Sequence, residues 1–268
     1  MKNLSMKRLL VVVLTGFLAL SAFAQNTPYT IEVGGSTSVT PLMELFTGAY
    51  AKERPNIKVN INPTGSGDGI TNASVLYQIG MSSRELTPAE KGSGLKEQIV
   101  AIDGIAVIMH ESNPVKNLSI EQIRNIFSGA ITDWSQVSGG AKRGRIAVIS
   151  REAGSGTRGA FEEIVGLKTL VQGATESTST GAIKAGISQN RDAIGYISLG
   201  SLDKTVKAVN VGNVAATSEN VVKGTYKIAR PFILLYKDSA RDETKAFLSW
   251  MMSPAGQALV KTSWIPVK

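Results

Sequence analysis

Apolar positions along the chain switch repeatedly between two spacings. Residues 29–33 and 57–61 are apolar at every second position or nearly so, the pattern of a strand with one buried face. Between them Leu42, Leu45, Phe46, Ala49 and Tyr50 recur at three- and four-residue steps. That spacing predicts an amphipathic helix with Thr40 as its cap and Pro41 at its first position. A helix is expected over 69–78 and a short strand over 79–81. Residues 100–109 form an apolar stretch interrupted at Asp103-Gly104. Ser119 and Gln122 have capping-box spacing and open a helix that ends before Gly129. A strand over 145–149 leads into a helix after Gly156. A helix from Thr180, strands over 194–198 and 231–236, and two closing helices over 240–252 and 254–262 complete the chain. Strands alternating with helices predict α/β layers with mainly parallel sheets. There is no internal repeat and no long Pro/Ser linker, so two lobes, if present, are joined by structured crossovers.

The first residues break this alternation. Lys2, Lys7 and Arg8 precede an apolar run over 9–20 and the small-x-small triplet Ala22-Phe23-Ala24. This is the layout of a secretory signal peptide, residues 1–24, cleaved near Ala24/Gln25. The run is short for a membrane span, which needs about 20 apolar residues, and no later segment is long and apolar enough, so stable membrane insertion is not expected. The chain of 268 residues has no cysteine. That excludes a disulfide framework, thiolate chemistry and a lipid anchor on cysteine, and points to a periplasm as the compartment that retains the protein. His110 is the one histidine, so a zinc site of the usual ligands is excluded and no metal is expected. Losing Lys2, Lys7 and Arg8 with the leader lowers the formal charge from +8 to +5. The basic residues are scattered, which argues against a nucleic-acid partner, while a mildly positive field favours a small anion.

Three segments share one plan of strand, Gly/Ser/Thr loop and helix. They are Val33-Gly34-Gly35-Ser36-Thr37-Ser38, Pro63-Thr64-Gly65-Ser66-Gly67-Asp68-Gly69, and residues 150–158 with Arg151, Ser155, Gly156, Thr157 and Arg158. A helix start offers free backbone N–H groups and a partial positive charge of about half a unit. Glycine lets that backbone approach a ligand, hydroxyls add uncharged donors, and a guanidinium offers a planar fork to an oxyanion. Any one such loop alone reads as ordinary N-capping; three of like composition point to a shared anion site. A fourth segment, Gly80-Met81-Ser82-Ser83-Arg84, is either a capped turn or a further source of hydroxyls and charge. Dinucleotide, P-loop and nucleophile-elbow patterns are not completed.

These residues resemble the phosphate-binding proteins of phosphate-specific ABC importers. The resemblance spans the chain beyond the leader and rests on Gly35-Ser36-Thr37-Ser38-Val39, Gly65-Ser66-Gly67-Asp68-Gly69-Ile70, Ile79-Gly80-Met81-Ser82-Ser83-Arg84, Ile131-Thr132-Asp133-Trp134, residues 150–158, Ala193-Ile194-Gly195-Tyr196 and Arg230-Pro231-Phe232. It implies a two-lobed periplasmic binding protein of type II, with two crossovers near 102–109 and 227–234 and the ligand in the cleft between lobes. Lobe I would comprise 25–104 and 232–268, and lobe II 105–231. The ligand set it implies is Thr37, Ser38, Ser66, Ser83, Arg151, Ser155, Gly156 and Thr157, with Ser36, Asp68 and Arg84 as further candidates. One position departs from the family pattern. Many members carry an aspartate where this chain has Ser83. In those members the carboxylate accepts a hydrogen bond from protonated phosphate and repels sulfate, so Asp68 is a candidate substitute for it.

The function implied is capture of inorganic phosphate outside the cytoplasm and delivery to the membrane permease of an ABC importer. A monomer without catalysis or cofactor is expected. Ser83 leaves a second reading open, a receptor of the same fold for sulfate, molybdate or a phosphonate. A hydrolase using Ser38 or Ser155 would need a base in reach, and His110 follows a strand-like run as a strand-end residue.

Overall fold

The computed structural model describes residues 28–139 and 141–267. The signal peptide expected over 1–24 and its expected cleavage point fall outside the described residues. Strand β1 (Tyr29–Gly35) leads into helix α1 (Thr40–Glu53), and β2 (Ile57–Pro63) into the short α2 (Ser66–Thr71). After β3 (Ile79–Ser82) and α3 (Pro88–Lys91) comes β4 (Lys96–Met109), 14 residues long. The middle of the chain adds β5 (Asn117–Leu118), α4 (Ile120–Ser128), β6 (Ala147–Arg151), α5 (Gly156–Val165), β7 (Thr175–Ser177), α6 (Thr180–Gln189), β8 (Ala193–Ser198), β9 (Lys207–Ala208), β10 (Asn210–Val211) and α7 (Ser218–Val222). Strand β11 (Ala229–Tyr236) then returns, followed by α8 (Asp242–Met251) and α9 (Pro254–Val260).

The main sheet runs β2-β1-β3-β11-β4-β8-β6-β7, with β9 also on β4. Strands joined by helical crossovers, β1 with β2 and β3 and β6 with β7 and β8, are parallel. The long strands β4 and β11 are antiparallel to each other and to their other neighbours β8 and β3. Strand β4 changes partner midway: Lys96 through Gly104 face β11, and Ile105 through Met109 face β8. Opposite Phe232 and Ile233 the register slips from Ala101 to Ile99, which leaves Val100 as an extra residue in β4. Such a bulge bends the strand.

Two hydrophobic cores flank this crossing. One gathers Ile31, Val33, Phe46, Met81, Val100, Ala101, Phe232, Phe247 and Trp264. The other gathers Ile105, Val107, Phe127, Trp134, Phe161, Ile183, Tyr196 and Ile228. Pro231 sits inside β11 without breaking it. Its partner Ile102 directs both its N–H and its C=O to Ile265, and β3 does not extend that far, so no ladder bond is asked of the proline nitrogen.

Four local expectations change. The helix expected over 69–78 stops at Thr71: Asn72 ends it, Ser74 takes a left-handed φ of 65°, and Val75 and Leu76 are exposed. Thr40 is the first helical residue rather than the cap, and its hydroxyl donates to the Ser36 carbonyl. The strand expected from 145 begins at Ala147 and carries Arg151 as its last residue. The apolar stretch broken at Asp103-Gly104 is one continuous strand, because Asp103 has buried partners.

Candidate functional site

The three Gly/Ser/Thr loops and the Ser83 segment converge where the two cores meet. Ser36, Thr37 and Ser38 follow β1 and enter α1. Ser66 opens α2, Ser83 ends the run after β3, Arg151 closes β6, and Ser155 caps α5. The Ser36 hydroxyl donates to Ser83 Oγ at 2.8 Å, Ser66 Oγ lies 3.3 Å from Ser83 Oγ, and the Ser83 N–H donates to Ser66 Oγ at 3.1 Å. From the other side Thr157 Oγ1 stands 2.8 Å from Ser38 Oγ, and the Gly67 N–H donates to the Gly154 carbonyl at 3.0 Å. Ser36, Ser38, Ser66, Ser83, Arg151, Ser155 and Thr157 are all buried.

Glycine is required where the two sides touch. A Cβ on Gly156 would stand 2.2 Å from Ser66 Oγ and 2.8 Å from Ser83 Oγ. Gly35, with φ of 129°, holds a left-handed conformation and would place a Cβ 2.3 Å from the Met81 carbonyl. The first permits close approach of the two walls; the second permits the turn that aims Ser36 inward.

Arg151 is the charge of this site. Its Nε and Nη2 bind Glu152 in a fork, at 2.8 Å each. Nε also reaches the Ser177 carbonyl. Nη1 is turned to the hydroxyls, with Thr180 Oγ1 at 3.4 Å. Beneath it the Tyr196 hydroxyl lies 2.8 Å from Ser150 Oγ and accepts from the Arg151 N–H at 3.3 Å. Burial pushes the Tyr196 phenol up to about 12, so it stays a neutral donor. Its ring stacks on Phe161 at 4.1 Å.

A second buried guanidinium lies close by. Arg230 Nη1 donates to the Ser83 carbonyl at 3.0 Å, and Nη2 reaches Asp103 at 3.2 Å. Asp103 also accepts from Ser198 Oγ at 2.9 Å. Burial pushes its carboxyl up to about 6 against the opposing pull of Arg230.

Two of the further candidates have other partners. Asp68 accepts from Thr64, from Asn72 at 2.6 Å and from Tyr77 at 2.8 Å, and these bonds hold its carboxyl below the usual carboxylate range, with Thr64 the largest cause. Its oxygens brace the turn after α2. Arg84 forms a fork with Glu90 at 2.7 and 2.8 Å and donates to the Glu85 carbonyl. Ser36 is within the hydroxyl cluster. Arg158 donates to the Arg151 carbonyl and to Glu162 and Glu176, so it braces the loop.

Sequence reasoning missed Thr180. Its Oγ1 is 3.0 Å from Ser38 Oγ and 3.4 Å from Thr37 Oγ1, and its N–H faces Thr37 Oγ1 at 3.4 Å. The signal was the pair Ser179-Thr180 at a helix start, which looks like any cap. His110 follows the end of β4 with Nδ1 2.8 Å from Ser112 Oγ. Among the described residues no group of three or more His, Cys, Asp or Glu could hold a metal ion, and no helix is long and apolar enough to cross a membrane.

Comparison with known proteins bears on the same arrangement. The PBP superfamily domain matches residues 21–255. A structure from Clostridium perfringens, described as a phosphate ABC transporter substrate-binding protein with bound phosphate, is 44% identical and covers 90% of this chain and 100% of its own, with a TM-score of 0.86. An ABC-type phosphate transport receptor from Vibrio cholerae is 36% identical and covers 88% of this chain and 99% of its own, with a TM-score of 0.73. The phosphate-binding protein PstS of Borreliella burgdorferi is 28% identical over 268 residues, 94% of this chain and 95% of its own length. With the superfamily domain and likenesses that each cover most of its length, the chain belongs to the PBP superfamily and, within it, to the substrate-binding proteins of phosphate ABC transporters.

Proposed function

We propose that the protein captures inorganic phosphate between its two lobes and delivers it to the permease of an ABC importer. One observation carries this reading: hydroxyls from both cores and the Nη1 edge of Arg151 meet in one buried cluster at the starts of α1, α2 and α5. Such a cluster replaces the hydration of a tetrahedral anion by fixed donors. The ligand set is Thr37, Ser38, Ser66, Ser83, Arg151, Ser155, Gly156 and Thr157, with Ser36 behind them. The split of the cores supports lobe I as 25–104 with 232–268 and lobe II as 105–231.

The protein acts as a receptor without catalysis. A hydrolase reading lacks support, since His110 is engaged with Ser112 and is no partner of Ser38 or Ser155. Export by cleavage near Ala24/Gln25, a periplasmic location and a monomeric state complete the proposal.

A second reading, a receptor with little preference between phosphate and sulfate, is favoured by one fact. Neither Ser83 nor Asp68 offers a free carboxylate to the cluster. Calorimetry on the phosphate-stripped protein, titrating phosphate with and without excess sulfate, separates the two. One-to-one phosphate binding that ignores sulfate supports phosphate selectivity. Equal competition makes this a general oxyanion receptor, and binding of neither anion removes both readings.

A further inference from the structure

We propose that Thr180 is a ligand-contacting and positioning residue of the oxyanion site, supplying a fourth donor arm that ties the Arg151 guanidinium to the opposite wall. The proposal rests on the phosphate reading above and deepens it. Thr180 is buried, at 6% exposure, and is the first residue of the ten-residue helix α6. Its helix is anchored by Ile183 and Ile187 in the same core that holds Tyr196 below Arg151. Yet three of its four polar contacts lie across the cleft, on Thr37 and Ser38 at the start of α1. The fourth is Arg151 Nη1, the guanidinium edge left over by Glu152.

That geometry does two things. The Thr180 N–H and the next N–H of the helix have no intrahelical acceptor. With the Ser179 side chain accepting from Ala182 at 3.1 Å, the N–H of Thr180 is left to point across the cleft. An anion entering among Ser38, Thr157 and Arg151 therefore meets a helix start besides those of α1, α2 and α5. The hydroxyl also selects the direction of Nη1. A guanidinium forked onto Glu152 can pivot about that fork, and Thr180 Oγ1 accepts from Nη1 and holds it toward Ser38. When the lobes part, the bonds to Thr37 and Ser38 break while the contact to Arg151 stays within one lobe. Thr180 thus keeps the charge aimed before the ligand arrives and couples it to the facing wall afterwards.

The test uses the full mature protein and two substitutions. Thr180→Val keeps the shape and removes the hydroxyl; Thr180→Ser keeps the hydroxyl and removes the methyl. Phosphate affinity by calorimetry should fall about 10- to 100-fold in Thr180→Val, the range for a lost hydrogen bond to a charged partner. Stopped-flow tryptophan fluorescence should place most of that loss in dissociation. Thr180→Ser should recover most of the affinity, and the ligand-free melting temperature should match wild type in both. Equal affinity in Thr180→Val, or equal loss in both variants, overturns the role of Thr180 while leaving the phosphate site intact. Wild-type protein that binds no phosphate overturns both.

Discussion

The two walls of the cleft use the same hydroxyls in different company. The wall built on β1, β2 and β3 presents Ser36, Thr37, Ser38, Ser66 and Ser83, all neutral and bonded largely to one another or to hydroxyls across the cleft. The wall built on β6 and the starts of α5 and α6 presents Ser155, Thr157 and Thr180 around a buried charge. That charge is neutralised by Glu152 and held from below by Tyr196. A hydroxyl can donate and accept, so a neutral wall satisfies itself and loses little on leaving water. A buried guanidinium cannot, and without Glu152 its desolvation would cost several kcal/mol. The first wall is therefore shape and the second is charge.

The sharpest way to break that distinction is Arg151→Ala. It strands Glu152 and removes the site's charge, and phosphate binding should weaken by about 3–5 kcal/mol, more than 100-fold. Calorimetry reads this directly, and a loss below tenfold would mean that helix starts alone bind the anion. Next comes Ser83→Asp, which puts a charge on the neutral wall. Sulfate affinity should fall by roughly 100-fold, since like charges in contact cost several kcal/mol, while phosphate keeps a proton to share. Competition titration compares the two anions. Gly156→Ala tests closure itself. The added methyl meets Ser66 Oγ and should weaken phosphate binding by about 1–3 kcal/mol with the isolated fold's melting temperature little changed.

A last comparison separates two ion pairs by the pH response of stability rather than of binding. Asp103 titrates near 6 in the fold against an ordinary 3.8, so between about pH 4 and 6 the folded state holds the extra proton. Stability from this group then falls as pH rises, by at most about 1.4 kcal/mol per pH unit. Glu90, forked by Arg84, is pulled down to about 2, so its contribution is present above 4.5 and lost as pH falls through 2. Urea midpoints across pH should show that Asp103→Asn flattens the first slope and Glu90→Gln the second.

Much of this was legible in the sequence because local rules dictate it. Ser119 and Gln122 form their capping box, and Gly129 ends that helix in the left-handed region. The glycine loops announced helix starts, and their number announced convergence. What escaped was decided at long range. Asp68 lies in one of the candidate anion loops by sequence, but Tyr77 comes back to claim its carboxylate. Thr180 looks like a cap, and only the fold brings it to Ser38, 142 residues away. The helix expected through Gln78 yields to a turn because Tyr77 must pack against Gly34, where any side chain would collide with its ring.

The change of partner along β4 bears on how the chain acquires its shape. Residues 105–228 hold the core around Phe161 and Tyr196 as one contiguous stretch. The sheet around Ile31 and Met81 is different: β3 and β4 are separated in it by β11, which lies more than a hundred residues downstream. Until that strand is available, two sheet edges stand unpaired, and closing them requires a long loop to be brought together. Folding should accordingly run in two phases, the middle of the chain first and the sheet of the two ends second. Pulsed hydrogen exchange should find β6 and β8 protected before β1 and β3.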